Sequence, residues 1–269
     1  MYLKKQIQKK LMKLTNTIHS LSPITYAEYQ IMNFKDIIET KFILNAKKLN
    51  KLLKEVNDKY DILEIGNKRV LNFTNEYFDT EDYKLYMAYH NGKGNRYLIK
   101  NSESEESKKK HLEIKFHSNK GSVSKMRKKS KAGKITNEKS RVFIQENTPY
   151  NPETLKMSLK NQYSRIVLVH KQNKEKVTID LDLTCSNEKG KLKLPHLAIV
   201  EVKQEKFSLY SDFIVSLRKQ NIQKTSLSKY CIGVALLNKD VKKNKFKSKL
   251  LAISKINDSE FNAQHNISA

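Results

Sequence analysis

HLEIKFH, residues 111–117, alternates polar with apolar side chains. Residues two positions apart in a β-strand point to the same face, so Glu113 and Lys115 share one face while Leu112 and Ile114 share the other. The stretch predicts a strand with one apolar face and one face that carries charges of both signs.

The same acid–lysine arrangement occurs twice more along the chain, at Glu39 with Lys41 and at Glu201 with Lys203. A fourth predicted strand places two carboxylates, Asp180 and Asp182, on one face. Solvent exposure explains any one charged strand face. The repetition of such faces in otherwise apolar strands, however, favours an arrangement in which the charged faces point into one shared interior. Charges in an interior must be paired or must bind a ligand.

The composition indicates an anionic partner. The 269 residues carry a formal net charge of +25, with 47 lysines and 6 arginines. Such a field attracts nucleic acid, anionic lipid or polyphosphate, and charge alone does not distinguish them. Three arginines, Arg96, Arg127 and Arg165, lie in or beside the predicted strands, where a guanidinium can bind phosphate through two hydrogen bonds.

Three features favour a cytoplasmic protein, with any membrane association through a partner. Cys185 and Cys231 have no zinc-type spacing and form no disulfide framework, which is typical of a reducing compartment. The longest apolar run, CIGVALL at 231–237, is too short to span a bilayer. The N-terminal sequence lacks the pattern of a signal peptide.

The chain is expected to form one domain between two terminal segments. Residues 1–32 contain a basic amphipathic helix, which either packs on the domain or binds a membrane surface or partner. Residues 33–238 form the domain. Residues 239–269 are rich in Lys, Asn and Ser and are expected to be disordered.

Within 33–238, apolar runs and turn signals predict about eight strands with flanking helices. A helix is predicted to begin at Pro152, with Asn151 as its N-cap. Polar loops are expected at 101–110 and 128–140. These elements predict an α+β protein with one antiparallel sheet or a closed barrel and peripheral helices.

Short motifs, taken in order, resemble the VTC-type polyphosphate polymerase domains of the triphosphate tunnel metalloenzyme superfamily. Each motif is weak alone, but the ordered set is specific and extends over residues 33–238. The motifs include ETKF (39–42), YFDT (77–80), LEIK (112–115), TIDL (178–181), VEVK (200–203) and SKYC (228–231).

The resemblance implies an eight-stranded antiparallel β tunnel, a closed barrel whose basic lumen binds nucleoside triphosphate and polyphosphate. It implies transfer of the ATP γ-phosphate to a growing polyphosphate chain with Mn²⁺ or Mg²⁺. The implied partners are ATP and inorganic polyphosphate, with a membrane-protein partner left open and no specific nucleic acid.

The resemblance also implies roles for individual residues. The implied catalytic residues are Lys115, Arg127, Arg165 and Lys229. The implied substrate-binding residues are Lys41, Arg96, Lys100, Lys125, Tyr163, Lys176, Lys203 and Ser228. The implied metal ligands are Glu201, Glu113 and Asp180.

Two departures from the family pattern remove cationic positions. Leu98 stands where a basic residue usually follows Arg96, and Ser122 stands where Arg usually follows a turn glycine. With catalysis lost, the chain would be a non-catalytic polyphosphate or nucleotide sensor, and attack by water would make the same site a triphosphatase. A nucleic-acid-binding protein is disfavoured, since no recognition module is visible.

Overall fold

The structure, a computed structural model, describes residues 13–32, 34, 38–129, 135 and 137–257. The strands are β1 (Ser22–Thr25), β2 (Ile38–Asn45), β3 (Tyr60–Glu64), β4 (Leu71–Asp79), β5 (Arg96–Ser104), β6 (Lys109–His117), β7 (Val123–Lys129), β8 (Lys156–His170), β9 (Glu175–Asn187), β10 (Gly190–Leu194), β11 (Leu197–Gln204) and β12 (Lys224–Thr225).

The helices flank these strands in sequence. They are α1 (13–20), α2 (Tyr26–Ile31), α3 (Leu49–Glu55), α4 (Lys84–His90), α5 (Glu138–Asn147), α6 (Asp212–Lys219), α7 (Lys229–Leu237) and α8 (Lys247–Ile256). Short 3₁₀ turns cover Ala46–Lys48, Pro152–Thr154 and Asn244–Phe246. Within the described ranges, no helix is long and apolar enough to cross a membrane.

The strands hydrogen-bond in the order β12-β2-β11-β9-β8-β4-β5-β6-β7, with β10 on β9, β3 on β8 and β1 on β3. The runs β2–β11–β9 and β4–β5–β6–β7 are antiparallel, whereas β1 and β3 are parallel. The predicted α+β class with antiparallel strands is confirmed.

The prediction of eight strands in a closed barrel is wrong. The sheet has twelve strands, and among the described residues no ladder joins its end strands β12 and β7. The difference in number comes from short strands such as β12, which has two residues. Strands of this length carry no readable alternation of apolar and polar residues.

The chain divides into two compact units, and the first consists of residues 1–71, 164–182 and 195–226. In its sheet, period-two alternation buries Phe42 and Leu44 on one face, away from Glu39 and Lys41. The buried cluster against this apolar face comes from α3 and α6: Leu49, Leu52, Leu53, Phe213, Ile214 and Leu217.

The second unit consists of residues 72–163, 183–194 and 227–269. Phe78, Ile99, Leu112 and Ile114 form its buried apolar cluster with Ile144 of α5. The register places Lys100 opposite Glu113 on the other face of the same strands. Each unit therefore has an apolar sheet face under helices and a charged face opposite to it.

The helix predicted at Asn151 and Pro152 is only a 3₁₀ turn. Asn151 does cap it, but the chain then continues as the fifteen-residue strand β8. Leu159, Asn161 and Tyr163 are all buried in that strand. This period-two burial overrides the helical spacing of the leucines.

Other segments are more ordered than the sequence indicates. Residues 101–110 form the ends of β5 and β6 with a four-residue turn, and α5 begins at Glu138 inside the expected loop 128–140. Residues 244–256 of the expected disordered tail form a 3₁₀ turn and α8. Residues 1–12 of the predicted N-terminal helix and residues 258–269 lie outside the described part.

Asp180 and Asp182 do not share a face as the alternation predicts. Asp182 has a φ of +54°, in the left-handed region, and is exposed, whereas Asp180 is 1% exposed. Strand β9 pairs with β11 as far as Asp180 and with β10 from Leu183 onward. The irregular residue lies where the strand changes partner, and a bulge of this kind resets the alternation.

Candidate functional site

The charged face of the first unit centres on the carboxylate of Glu201. Its Oε1 lies 3.0 Å from Nζ of Lys41 and its Oε2 lies 3.1 Å from Nζ of Lys203. Glu39 completes the group, at 3.1 Å from Lys41 and 3.7 Å from Lys203. These four residues, here called the Glu201 face, form two cross-strand pairs of β2 and β11.

The Glu201 face is shielded but reachable. Its side chains are between 11% and 19% exposed, and ammonium groups there interact with anions more strongly than in open water. The face carries two positive and two negative charges, so it is neutral without a ligand.

Thr178, which sequence reasoning did not select, lies opposite Glu201 on β9. The residue is 3% exposed, and its hydroxyl has no hydrogen-bond partner among the described residues. A buried polar group without a partner costs free energy, so this hydroxyl is suited to a ligand. The alternation that places Thr178 between Lys176 and Asp180 could have identified it.

Lys176 is held by aromatic residues. Its Nζ donates a hydrogen bond of 2.9 Å to the hydroxyl of Tyr29 on α2, and it lies 4.4 Å from the ring centroid of Phe34. A cation over an aromatic ring is attracted by the negative face of the ring. The lysine is thus fixed at the position opposite Lys203.

Arg165 forms a two-point ion pair with Asp180. Nε and one terminal nitrogen of the guanidinium donate to the two carboxylate oxygens at 2.5 and 2.8 Å. The Asp180 side chain is fully buried and that of Arg165 is 18% exposed. Because both carboxylate oxygens accept from Arg165, the structure shows Asp180 orienting the guanidinium; its predicted role as a metal ligand remains a prediction.

In the second unit, Glu113 gathers cations from two neighbouring strands. Nε of Arg127 lies 2.7 Å from it and Nζ of Lys100 lies 3.5 Å from it. Burial opposes ionisation of Glu113, but Lys100 and Arg127, together with Lys125, outweigh that effect and hold the pKa of this carboxyl well below its usual range. Glu113 therefore stays charged and positions the two cations.

Lys100 is also fixed by a buried amide chain. Its Nζ donates to Oδ1 of Asn75 at 2.9 Å, and Asn75 donates to Asn161 at 3.0 Å. Both asparagines are 0% exposed. Sequence reasoning missed them, because neither belongs to a charged pattern.

Lys115 and Lys125 lie directly opposite each other on β6 and β7. Like charges at such positions repel, and a bound anion relieves the repulsion. Arg96 lies 5.0 Å from the ring centroid of Tyr89 and donates to the carbonyl of Lys93 at 2.8 Å. Its buried Nε has no partner among the described residues.

Ser228 and Lys229 lie at the start of α7. The Ser228 hydroxyl accepts the N–H of Cys231 at 3.4 Å and caps the helix. Nζ of Lys229 lies 5.0 Å from the ring centroid of Tyr163, which stacks on Phe73. A helix N-terminus beside a lysine favours an anion.

Asp79, from the YFDT motif, anchors this helix start. It is 0% exposed and accepts the Tyr230 hydroxyl at 2.5 Å, next to Lys229 in the chain. It also accepts backbone N–H groups of Leu85 and Tyr86 in α4. Burial raises the pKa of Asp79, while the hydrogen bond from Tyr230 opposes the rise. Asp79 lies within the quoted YFDT motif, but sequence reasoning selected neither Asp79 nor its partner Tyr230.

The divalent cation that the resemblance implies would need oxygen ligands from these residues. In the described part of the chain no three His, Cys, Asp or Glu side chains are grouped closely enough to hold an ion by themselves. Mg²⁺ is commonly held by one or two carboxylates together with substrate phosphates. Glu201, Glu39 and the orphan hydroxyl of Thr178 fit such a shared site.

The predicted residues thus divide into two groups, each within its own unit. The first group is Lys41, Arg165, Lys176, Asp180, Glu201 and Lys203. The second contains Arg96, Lys100, Glu113, Lys115, Lys125, Arg127, Tyr163, Ser228 and Lys229; within it, contacts join Lys100 and Arg127 to Glu113, and Lys229 to Tyr163.

Solved structures with some similarity are distant in sequence. A candidate adenylate cyclase from Bacillus halodurans is 14% identical, with 72% of this chain and 96% of that chain covered and a TM-score of 0.48. A candidate adenylyl cyclase from Hippeastrum with a dominant triphosphatase activity is 13% identical, with 74% and 95% covered and a TM-score of 0.46. The S. pombe RNA triphosphatase Pct1 is 8% identical, with 93% and 94% covered and a TM-score of 0.28.

No curated protein matches the sequence. A family match is nevertheless extensive, because residues 36–238 match the VTC domain. This range includes every predicted site residue and about three quarters of the chain. The chain therefore belongs to the VTC domain family.

Proposed function

We propose that this protein is a polyphosphate polymerase, which transfers the γ-phosphate of ATP to a growing inorganic polyphosphate chain. The Glu201 face is the observation that carries the proposal. It combines partly buried ammonium groups with carboxylates: the Nζ atoms of Lys41 and Lys203 lie 3.0 and 3.1 Å from the carboxylate oxygens of Glu201. The ammonium groups can bind phosphate oxygens, and the carboxylates suit a cation shared with the phosphates. Membership of the VTC domain family supports a substrate with linked phosphates.

The residues of the first unit have distinct tasks in this reaction. Lys41 and Lys203 bind phosphate oxygens and neutralise charge as the γ-phosphate is transferred. Arg165, oriented by its two hydrogen bonds to Asp180, presents its remaining N–H donors to phosphate. A divalent ion bound at Glu201 would supply further neutralisation of phosphate oxygens.

The cations of the second unit bind phosphates in the same way. Lys115 and Lys125 are suited to an anion by their mutual repulsion, and Arg127 is positioned by Glu113. Lys229 acts at the start of α7, where backbone N–H groups add to its charge. These contacts contribute mainly by positioning substrates and neutralising charge.

The bond changes need no nucleophilic side chain. A terminal oxygen of the polyphosphate chain forms a bond to the γ-phosphorus in line with the bond that breaks, which joins that phosphorus to the β–γ bridging oxygen. The bridging oxygen leaves with ADP and keeps the electron pair. Attack by an ionised phosphate oxygen requires no general base.

Incubation of the full chain with ATP and Mn²⁺ or Mg²⁺ tests the proposal directly, with polyphosphate detected on a gel. We expect polymer from the wild type and at least about a hundredfold less from Glu201→Gln, which is a typical cost of losing one electrostatic contact to a transition state. Lys115→Ala should also be impaired. Glu188→Gln, at an exposed position, is the matched control and should behave as wild type.

Other products in the same assay would identify the alternative functions of this site. Release of free phosphate without polymer would replace the polymerase by a triphosphatase. Binding of polyphosphate with neither product, in every metal, would make the chain a sensor. Equal activity of Glu201→Gln and wild type would remove the Glu201 face from the mechanism.

A further inference from the structure

A lysine-rich segment begins one residue after the matched family region ends. Residues 239–249, here called the lysine segment, contain six lysines and one acidic residue. The lysines are Lys239, Lys242, Lys243, Lys245, Lys247 and Lys249. The segment includes the 3₁₀ turn Asn244–Phe246 and the start of α8.

The charge of the lysine segment is not compensated nearby. Its acidic residue, Asp240, is paired with Lys189 at 2.7 Å. Elsewhere in the described ranges, no carboxylate lies within ion-pair distance of Lys242, Lys243, Lys245 or Lys247. The lysines of the Glu201 face, by contrast, contact carboxylates at 3.0 to 3.7 Å.

The lysine segment is fixed to α4 although its lysines repel one another. The Tyr86 hydroxyl donates to the carbonyl of Lys242 at 2.8 Å, and Nε2 of His90 lies 2.8 Å from Oδ1 of Asn244. Phe246 is 7% exposed and makes edge contacts with Tyr86 and His90. The lysines therefore project from an ordered backbone, so a ligand would not have to order the chain when it binds.

We propose that the lysine segment is a second binding surface, distinct from the charged sheet faces, for a long linear polyanion. Closely spaced cations that have no carboxylate within ion-pair distance gain most from a ligand with many closely spaced negative charges, because each contact releases counterions. The identification of this ligand as inorganic polyphosphate, the product that the surface would retain, rests on the proposed function. The binding surface itself does not.

The test compares two variants of the full chain with equal loss of charge. The first carries Lys→Gln at Lys242, Lys243, Lys245 and Lys247. The control carries Lys→Gln at four exposed lysines of the other unit: Lys47, Lys54, Lys206 and Lys219. A third variant with Lys→Arg at the first four positions keeps the charge and should bind as wild type.

The measured quantity is the affinity for long-chain inorganic polyphosphate as a function of salt. We expect the first variant to bind about tenfold more weakly or worse at 0.1 M salt, with a log–log salt slope smaller by about 0.7 for every lysine that contacts a phosphate. The control should change far less. Binding of tripolyphosphate, whose three phosphates can contact few of these lysines, should change far less than binding of the long chain in either variant.

Each outcome decides the proposal. Equal losses in the two Gln variants would show a bulk-charge effect and overturn it. A larger selective loss for duplex DNA or anionic vesicles than for polyphosphate would overturn the identification of the ligand. If the wild type made no polymer but the selective loss of polyphosphate binding remained, the proposed function would fail and the binding surface would stand.

Discussion

Replacement of Asp180 by Asn tests whether this residue supports Arg165 or holds a metal ion. The substitution keeps the size of the side chain and removes its charge. Arg165 then loses its buried ionic partner, which in the structure accepts two hydrogen bonds at 2.5 and 2.8 Å. If the ion pair dominates, the loss of stability should not depend on metal.

The expected magnitude follows from burial. Breaking a fully buried ion pair by removing one partner costs about 3–5 kcal/mol. Asp180 is fully buried, but the Arg165 side chain is 18% exposed and can be partly rehydrated, so we expect about 2–4 kcal/mol. For a chain of this size that corresponds to a decrease in Tm of about 4–7 °C.

Thermal unfolding followed by circular dichroism, with and without EDTA, measures this change. Arg165→Met and the double variant complete a double-mutant cycle, in which we expect the two losses to be far from additive. A loss of stability for Asp180→Asn that disappears in EDTA would refute the reasoning and support a metal ligand. Additive losses would show that the two side chains do not interact.

Three further predictions concern the second unit. Tyr230→Phe removes the hydroxyl that donates to Asp79 at 2.5 Å, and we expect the free energy of unfolding in urea to fall by about 1–3 kcal/mol. Because Lys229 is adjacent, tripolyphosphate should also bind more weakly, and an unchanged affinity would show that Tyr230 does not position Lys229. The pKa of Glu113 is lowered in the folded state, so its ionised form stabilises the fold above about pH 4.5. The difference in the free energy of unfolding between wild type and Glu113→Gln should therefore shrink as the pH falls below that value. A constant difference from pH 7 to 3 would contradict the lowered pKa. Gly233→Ala would place a Cβ 2.6 Å from a methyl of Leu159 and should cost about 1–3 kcal/mol, with a partial recovery expected when Leu159→Val is added.

The sequence predicted the charged and apolar strand faces because alternation is a local property. The pairs at Glu39–Lys41 and Glu201–Lys203 could be placed on one face from spacing alone, and the structure pairs them across β2 and β11. The spacing carried no information on the bulge at Asp182, since a left-handed backbone residue depends on the change of partner strand.

Contacts between distant segments could not be predicted in the same way. Asn75 accepts a hydrogen bond from Lys100 and donates one to Asn161, but a buried amide chain leaves no periodic signal. The folded segment 244–256 was also missed, because Phe246 is its one buried aromatic anchor among lysines. Composition indicated disorder there, whereas tertiary contacts with α4 determine the structure.

The electrical neutrality of the Glu201 face has a consequence for the order of ligand binding. Two ammonium groups already bind two carboxylates there, so a phosphate bound to the ammonium groups would weaken their ion pairs with the carboxylates. Under the proposed function a divalent cation would restore the balance of charge, and the two ligands would bind cooperatively. Linkage requires reciprocity: the factor by which the cation tightens phosphate binding equals the factor by which phosphate tightens cation binding.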